Sequence, residues 1–235
     1  MLGAPSVAKA LEQHAAYCEA LHAAGVASIV MESDARFPDA HFVEDAAVLI
    51  GGRAMLARPG HPARRDEAAS LRPALVAFFT DLAEIDPPGT LDGGDVCDAG
   101  DRVYVGLSHR TNANGIAQLG AWLERDAKTL IVIDIRNRPG LLHLKSGMSF
   151  LGDGRFAAVE VVAPLIGTRG QDVIVVQRDE AFAANCVRVN GVVFVAAGFP
   201  NFNAALKRAG FLTVALEVSE FRKMDGGLSC LSLRF

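Results

Sequence analysis

The residues that could do chemistry are few and stand far apart in the 235-residue chain. Cys230 closes the stretch Asp225-Gly-Gly-Leu-Ser-Cys230, a thiol directly after a flexible turn. His143 and Lys145 lie on alternate positions of LLHLKS (141–146), so they share a face if that segment is extended. Asp92 and Asp95 bracket two glycines in TLDGGD (90–95), where the missing Cβ allows close backbone approach. Asp39, Glu44 and Asp45 crowd FPDAHFVED (37–45), while Arg64, Arg65 and Arg110 stand at or before helix starts. An intracellular cysteine combined with a distant histidine can be a nucleophile and its base. Carboxylates suit a cation, and arginine grips a carboxylate through two parallel hydrogen bonds. A ligand cationic at one end and carboxylate-bearing at the other fits that set, and arginine derivatives are the obvious candidates.

Taken singly, these residues have plainer readings. A carboxylate beside glycine is commonly a cap or turn residue, and an isolated histidine a structural one. Cys18, Cys97 and Cys186 form no C-x-x-C pair and no zinc-spaced cluster, so they read as small buried apolar residues, and no structural metal is expected. Cys18 falls on the stripe Val7, Leu11, Ala15, Cys18, Leu21, one face of a helix running from Ser6 to Gly25. His41, beside the acidic cluster, is a rival base to His143. Convergence in space would give the set its meaning, and the elements decide that.

A strand at 26–31 follows the first helix, and then one unit recurs: hairpin, polar loop, helix, strand. The hairpins span 46–57, 95–106, 148–158 and 186–196, turning at Gly51-Gly52, Gly100-Asp101, 152–154 and Asn190-Gly191. Such dipeptides supply the positive φ that two-residue turns require. Helices follow at 65–82, 112–124, within 159–169 and at 200–209, with Pro73 the start of, or a kink in, the 65–82 helix. Each leads to a strand, at 83–85, 129–135, 172–177 and 212–217. Five helix–strand pairs thus face four upstream hairpins, and a strand at 229–234 is left over. The simplest closure is a ring of ββαβ units in which the last strand serves the first unit. Loops at equivalent positions of a ring converge on one end of its axis, which would gather thiol, imidazole, carboxylates and arginines in one pocket.

With these residues in view, the chain resembles the dimethylarginine dimethylaminohydrolases of the guanidino-group-modifying superfamily. FPDAHFVED (37–45), RPGHPARR (58–65), TLDGGDV (90–96), YVGLSHRTN (104–112), LHLKSG (142–147), AANC (183–186) and KMDGGLSCLSLRF (223–235) carry the resemblance, in family order over nearly the whole chain. It implies the pentein fold, a five-bladed α/β propeller of ββαβ modules with pseudo-fivefold symmetry. It also implies a single catalytic domain over 1–235, without the family's first strand and mobile lid loop, which stand upstream of the segment matching 2–5. The implied reaction is hydrolysis of Nω-methylated arginines to citrulline and dimethylamine or methylamine through a covalent thiouronium, with no metal or organic cofactor. By the same resemblance Cys230 is the nucleophile, His143 the general acid and base, and Asp92 the carboxylate that orients the histidine. Glu44 and Asp45 would hold the guanidinium nitrogens, Asp39 and the Met224 carbonyl the α-amino group, and Arg64 and Arg110 the α-carboxylate. Cys186 would be structural. The alternatives are another guanidino hydrolase such as an arginine deiminase, or a non-catalytic protein that binds arginine derivatives.

Composition narrows the classes further. Half the chain is hydrophobic (51%) and 21% is charged, which excludes disorder. With 23 basic and 27 acidic side chains the net charge is −4, leaving no electrostatic reason to expect nucleic acid as a partner. No apolar run reaches the ~18 residues a membrane span needs, and no basic segment precedes an apolar one as in a secretory signal. The expectation is a cytoplasmic protein, monomer or homodimer, whose partner is a small molecule rather than nucleic acid or membrane.

Overall fold

In the computed structural model, which describes residues 2–167, 170 and 172–235, the elements begin with α1 (Val7–Ala23). The Ser6 side chain caps α1 by accepting from Lys9 N, as its position before the helix predicts. Strands β1 (Ala47–Ile50) and β2 (Arg53–Leu56), helix α2 (Glu67–Val76) and strand β3 (Leu82–Glu84) come next. The pattern repeats as β4 (Val96–Ala99), β5 (Arg102–Leu107), α3 (Ala113–Leu123) and β6 (Thr129–Asp134). It returns as β7 (Met148–Gly152), β8 (Arg155–Val159), α4 (Ala163–Gly167) and β9 (Asp172–Val176). A last round gives β10 (Val187–Val189), β11 (Val192–Ala196), α5 (Pro200–Arg208) and β12 (Leu212–Leu216), followed by the short α6 (Ser219–Arg222).

Each round closes a three-stranded sheet, giving four among the described residues. The first two strands form an antiparallel hairpin, and the third returns parallel to the second after the helix. In the second sheet, for example, Cys97 pairs with Tyr104 and Tyr104 with Ile131. All four hairpins turn where the glycine and asparagine dipeptides stand, because local turn chemistry fixes their register. Pro73 neither starts nor stops α2, which opens at Glu67 and runs through it. The helix expected within 159–169 is the single turn of α4; positions 168 and 169 lie outside the described residues.

The chain divides into two compact units: the residues up to Glu32 with Ser146–Ser229, and Ser33–Lys145 with Cys230–Phe235. In the second, Val48, Ile50 and Met55 of the first sheet pack with Leu91, Val103, Val105, Leu119 and Leu123. Full burial of such a side chain contributes about 1.5–3 kcal/mol. Arg53 lies over the Trp122 ring, 4.3 Å from its centroid, and pairs with Asp126, so the rim of this core is cationic and aromatic. In the first unit, Tyr17 and Leu21 are the buried residues of α1, and Tyr17 meets the Phe194 ring edge-on at 6.2 Å.

Three expectations need correction. Of the expected stripe, Val7, Leu11 and Ala15 are exposed, Cys18 is half-buried and only Leu21 is buried, together with Tyr17 from outside the stripe. Neither 26–31 nor 229–234 is a strand. Residues 26–31 have the right apolar content, but a strand exists only where a neighbour completes its hydrogen-bond ladder, and Ile29, Val30 and Met31 are exposed. The second segment forms a 3₁₀ turn at Ser229–Leu231, then spends its side chains on contacts: Phe235 packs against Phe78 and Phe79, with ring centroids 5.2 and 4.9 Å away. Among the described residues, no helix is long and apolar enough to cross a membrane.

Candidate active site

The TLDGGD stretch becomes an extended residue followed by a 3₁₀ turn, Gly93–Asp95. Leu91 anchors it in the core and bridges to Arg58, which aims the buried Asp92 side chain away from the core residues beneath it. Asp92 is fixed on several sides. Its backbone N–H donates to Thr111 Oγ1 at 3.0 Å, and its Oδ1 accepts from Gly60 N at 2.8 Å. Its Oδ2 lies 2.9 Å from Nε2 of His143, which is itself buried.

A second carboxylate approaches the same imidazole. Asp45 sits on the 3₁₀ turn Val43–Ala46, and its Oδ1 is 3.8 Å from His143 Nδ1. That oxygen also accepts from Gly94 N at 3.1 Å. A Cβ at position 94 would stand 2.5 Å from this oxygen and 3.0 Å from the imidazole, so only glycine lets the three groups close on one another.

Charge follows from this packing. Burial alone would strip the proton from His143, but Asp45, the hydrogen bond to Asp92 and the field of Asp95 outweigh it and raise the pKa to about 9. The ring is therefore an imidazolium at neutral pH. Burial works against ionised Asp92 as well, yet the His143 and Gly60 hydrogen bonds hold it below the usual carboxylate range. Asp45, Asp92 and His143 offer ligand atoms within 4.8 Å of one another, a spacing a metal ion could use. All four carboxylate oxygens already accept a hydrogen or face the imidazolium, so a metal would have to compete with Arg64 and His143 for them.

Glu44, the neighbour of Asp45, is buried and engaged. Its Oε1 is 2.7 Å from Lys145 Nζ and 3.3 Å from Arg234 Nη2. Lys145 lies two residues after His143 and Arg234 four after Cys230, so one carboxylate ties the imidazole-bearing and thiol-bearing segments to a third. Cys230 itself lies on the Ser229–Leu231 turn, a half-buried thiol outside any disulfide.

The two arginines differ. Arg64 is buried, and its guanidinium donates to Asp45 at 2.6 Å, to Glu67 at 2.8 Å and to the carbonyls of Asp39 and Phe42. It is placed as the counter-ion that holds Asp45 rather than as an open clamp for a ligand carboxylate, because its donors are turned inward. Arg110 is half-buried, and among the described residues its guanidinium pairs with no carboxylate. The Asp39 side chain is exposed. Met224 lies in the other unit, just past α6, with its N–H on Phe221 O at 2.9 Å. His41 packs tilted against Phe42, with ring centroids 4.0 Å apart. Cys186 is buried, its N–H held by Ser149 Oγ at 3.1 Å.

Sequence reasoning gave no role to Glu67 or Arg234 and noted Lys145 only for sharing a face with His143. A buried partner for Arg64 three residues along the chain was a signal within reach for Glu67. Nothing local announces Arg234.

Comparison with known proteins places this geometry. A family model described as arginine deiminase matches residues 35–164. N(G),N(G)-dimethylarginine dimethylaminohydrolase of Pseudomonas aeruginosa is 37% identical over 235 residues, spanning 100% of this chain and 91% of that protein. The chain belongs to the dimethylarginine dimethylaminohydrolase family. The family member of Streptomyces coelicolor is 35% identical over 226 residues, 96% of this chain and 85% of its own. A solved structure of the Pseudomonas enzyme, a cysteine-to-serine variant complexed with citrulline, matches with a TM-score of 0.95 at 37% identity. The match covers 100% of this chain and 91% of that one, so the α/β architecture of repeated ββαβ units is the pentein fold of the family.

Proposed function

We propose that this chain hydrolyses Nω-methylated arginines, asymmetric dimethylarginine and monomethylarginine, to citrulline and dimethylamine or methylamine. Family membership and the citrulline held by the Pseudomonas relative support the reaction class. One observation of this chain carries the reading: a buried imidazole between two carboxylates, 2.9 Å from Asp92 and 3.8 Å from Asp45. Such a nest favours a planar cation and holds a proton ready for a departing amine.

A guanidinium carbon is a poor electrophile because three nitrogens share its charge. Fixing the group beside a thiolate makes attack feasible. A free thiol is mostly protonated near neutrality, and a bound cation stabilises its ionised form, so in this reading the substrate itself activates Cys230. The sulfur attacks and a C–S bond forms. His143 gives its proton to the methylated nitrogen, the C–N bond breaks, and dimethylamine leaves a thiouronium on Cys230. His143 then takes a proton from water, the hydroxide adds to the same carbon, and the C–S bond breaks to free the Cys230 thiolate as the new hydroxyl gives its proton to solvent, releasing citrulline. Asp92 orients the imidazole, Glu44 and Asp45 receive the guanidinium, and Asp39 receives the α-amino group. Arg110 takes the α-carboxylate, with Arg64 acting through Asp45. No step draws on a metal or an organic cofactor.

The arginine deiminase family model keeps a second reading alive, in which unmethylated arginine is the substrate and ammonia the leaving group. Supplying arginine and dimethylarginine in parallel and assaying citrulline decides between them. Citrulline from dimethylarginine alone supports the proposal; saturable binding with no citrulline from either would make the chain a binding protein. The reading extends to a single catalytic domain over 1–235, acting in the cytoplasm as a monomer or homodimer. Light scattering on the purified protein settles the assembly.

A further inference from the structure

Asp95 closes the Gly93–Asp95 turn and is completely buried, yet neither the mechanism nor the sequence motifs give it work. Its Oδ1 accepts the backbone N–H of Leu144, the residue next to His143, at 2.9 Å. Its Oδ2 accepts from Ser108 Oγ at 2.6 Å. The Thr111 hydroxyl is its third side-chain-derived or backbone donor. Each donor leads to a different part of the site. Ser108 Oγ accepts the N–H groups of Arg110 and Thr111, both at 2.9 Å, which shapes the turn that presents Arg110. Thr111 Oγ1 accepts the N–H of Asp92 at 3.0 Å. The space is tailored: a Cβ on Gly106 of β5 would come within 2.6 Å of Asp95 Oδ1 and 3.0 Å of Leu144 Cβ.

We infer that Asp95 is a positioning residue, a single buried carboxylate that sets the imidazole segment, the Asp92 backbone and the Arg110 turn in register. Three donors converge on it, which suits an ionised carboxylate whose two oxygens only accept. Its charge also reaches His143, alongside those of Asp45 on the neighbouring turn and Asp92, with Arg64 facing Asp45 from the 3₁₀ turn Pro62–Arg64. Burial raises the pKa of Asp95 to about 6, and as it protonates below that its charge is lost and one of its oxygens turns from acceptor to donor.

The kinetic consequence rests on the hydrolase reading above; the hydrogen-bond network does not. The test pairs Asp95→Asn with Ser108→Ala in the full chain. An amide removes the charge and turns one acceptor into a donor. Titrating His143 by its imidazole proton resonance, Asp95→Asn should lower the midpoint by roughly one pH unit, the low end of the effect of a nearby charge. Its kcat for dimethylarginine should fall by about 10²-fold, as for a misplaced reacting group. Ser108→Ala keeps the charge, so the His143 midpoint should hold while KM rises several-fold through the loosened Arg110 turn. An unmoved midpoint in Asp95→Asn, or an unchanged KM in folded Ser108→Ala, overturns the inference. If Asp95→Asn does not fold, Ser108→Ala decides it. A shifted midpoint in a protein that makes no citrulline would sink the hydrolase reading and leave Asp95 in place.

Discussion

A proton on His143 is the most consequential detail at the residue scale. An imidazole between two carboxylates holds its proton more tightly when folded than when unfolded, to about pH 9 against an ordinary 6.5. The stabilisation it brings is therefore fully present below the ordinary value and disappears as pH rises through about 9. Thermal melting followed from neutral to alkaline pH should show a decline through that range, and His143→Ala should remove it. Under the proposed mechanism kcat/KM should also fall along an alkaline limb near pH 9, because the deprotonated ring has nothing to give the leaving amine. Cys230→Ser should abolish turnover, and His143→Ala should cost ~10²–10⁴ in kcat. His41→Ala should retain wild-type kcat, since that ring packs on Phe42; a loss matching His143→Ala would revive it as the base. Residue types made Cys230, His143 and Asp92 legible in the sequence. Asp95 was not, because two carboxylates in one Asp-Gly-Gly-Asp motif look alike until the fold shows that Asp92 faces the imidazole while Asp95 accepts from Leu144 N and Ser108 Oγ.

Among the elements, what depends on neighbours in sequence could be read and what depends on neighbours in space could not. The hairpins turn at the dipeptides that demand positive φ, and Asn112 caps α3 by accepting from Gly115 N at 2.8 Å. The strands expected at 26–31 and 229–234 failed for the opposite reason, since apolar content cannot reveal whether another chain segment lies alongside. Two substitutions test the distinction. Gly115→Ala would push a methyl into the Thr90 carbonyl, where α3 meets the segment leading to Asp92, and should destabilise by about 1–3 kcal/mol in urea unfolding. Ile29→Ser with Val30→Ser should stay within about 0.5 kcal/mol of wild type, as exposed changes do; a loss several times larger would mean the pair is covered.

Over the molecule as a whole, residues separated by up to 190 positions meet at a single buried carboxylate. Lys145 and Arg234 share Glu44, so their substitutions should not be additive. A double-mutant cycle of Lys145→Ala and Arg234→Ala, measured by urea unfolding, should show a coupling of about 0.5–3 kcal/mol, while additivity would mean each cation acts alone. No reading of the sequence could supply this junction. Its three partners come from two separate 3₁₀ turns and the last residues of the chain, and each in isolation reads as an ordinary charged residue.

The pairing of Glu44 with an ammonium has a consequence for inhibition. A guanidinium that takes Glu44 Oε1 displaces Lys145 from it, so ligand capture at that oxygen is an exchange of one cation for another rather than the filling of a vacant negative hole. A compound that carries its own acceptor to meet the displaced ammonium would spare that exchange its main cost, and should outcompete a plain guanidine of equal size.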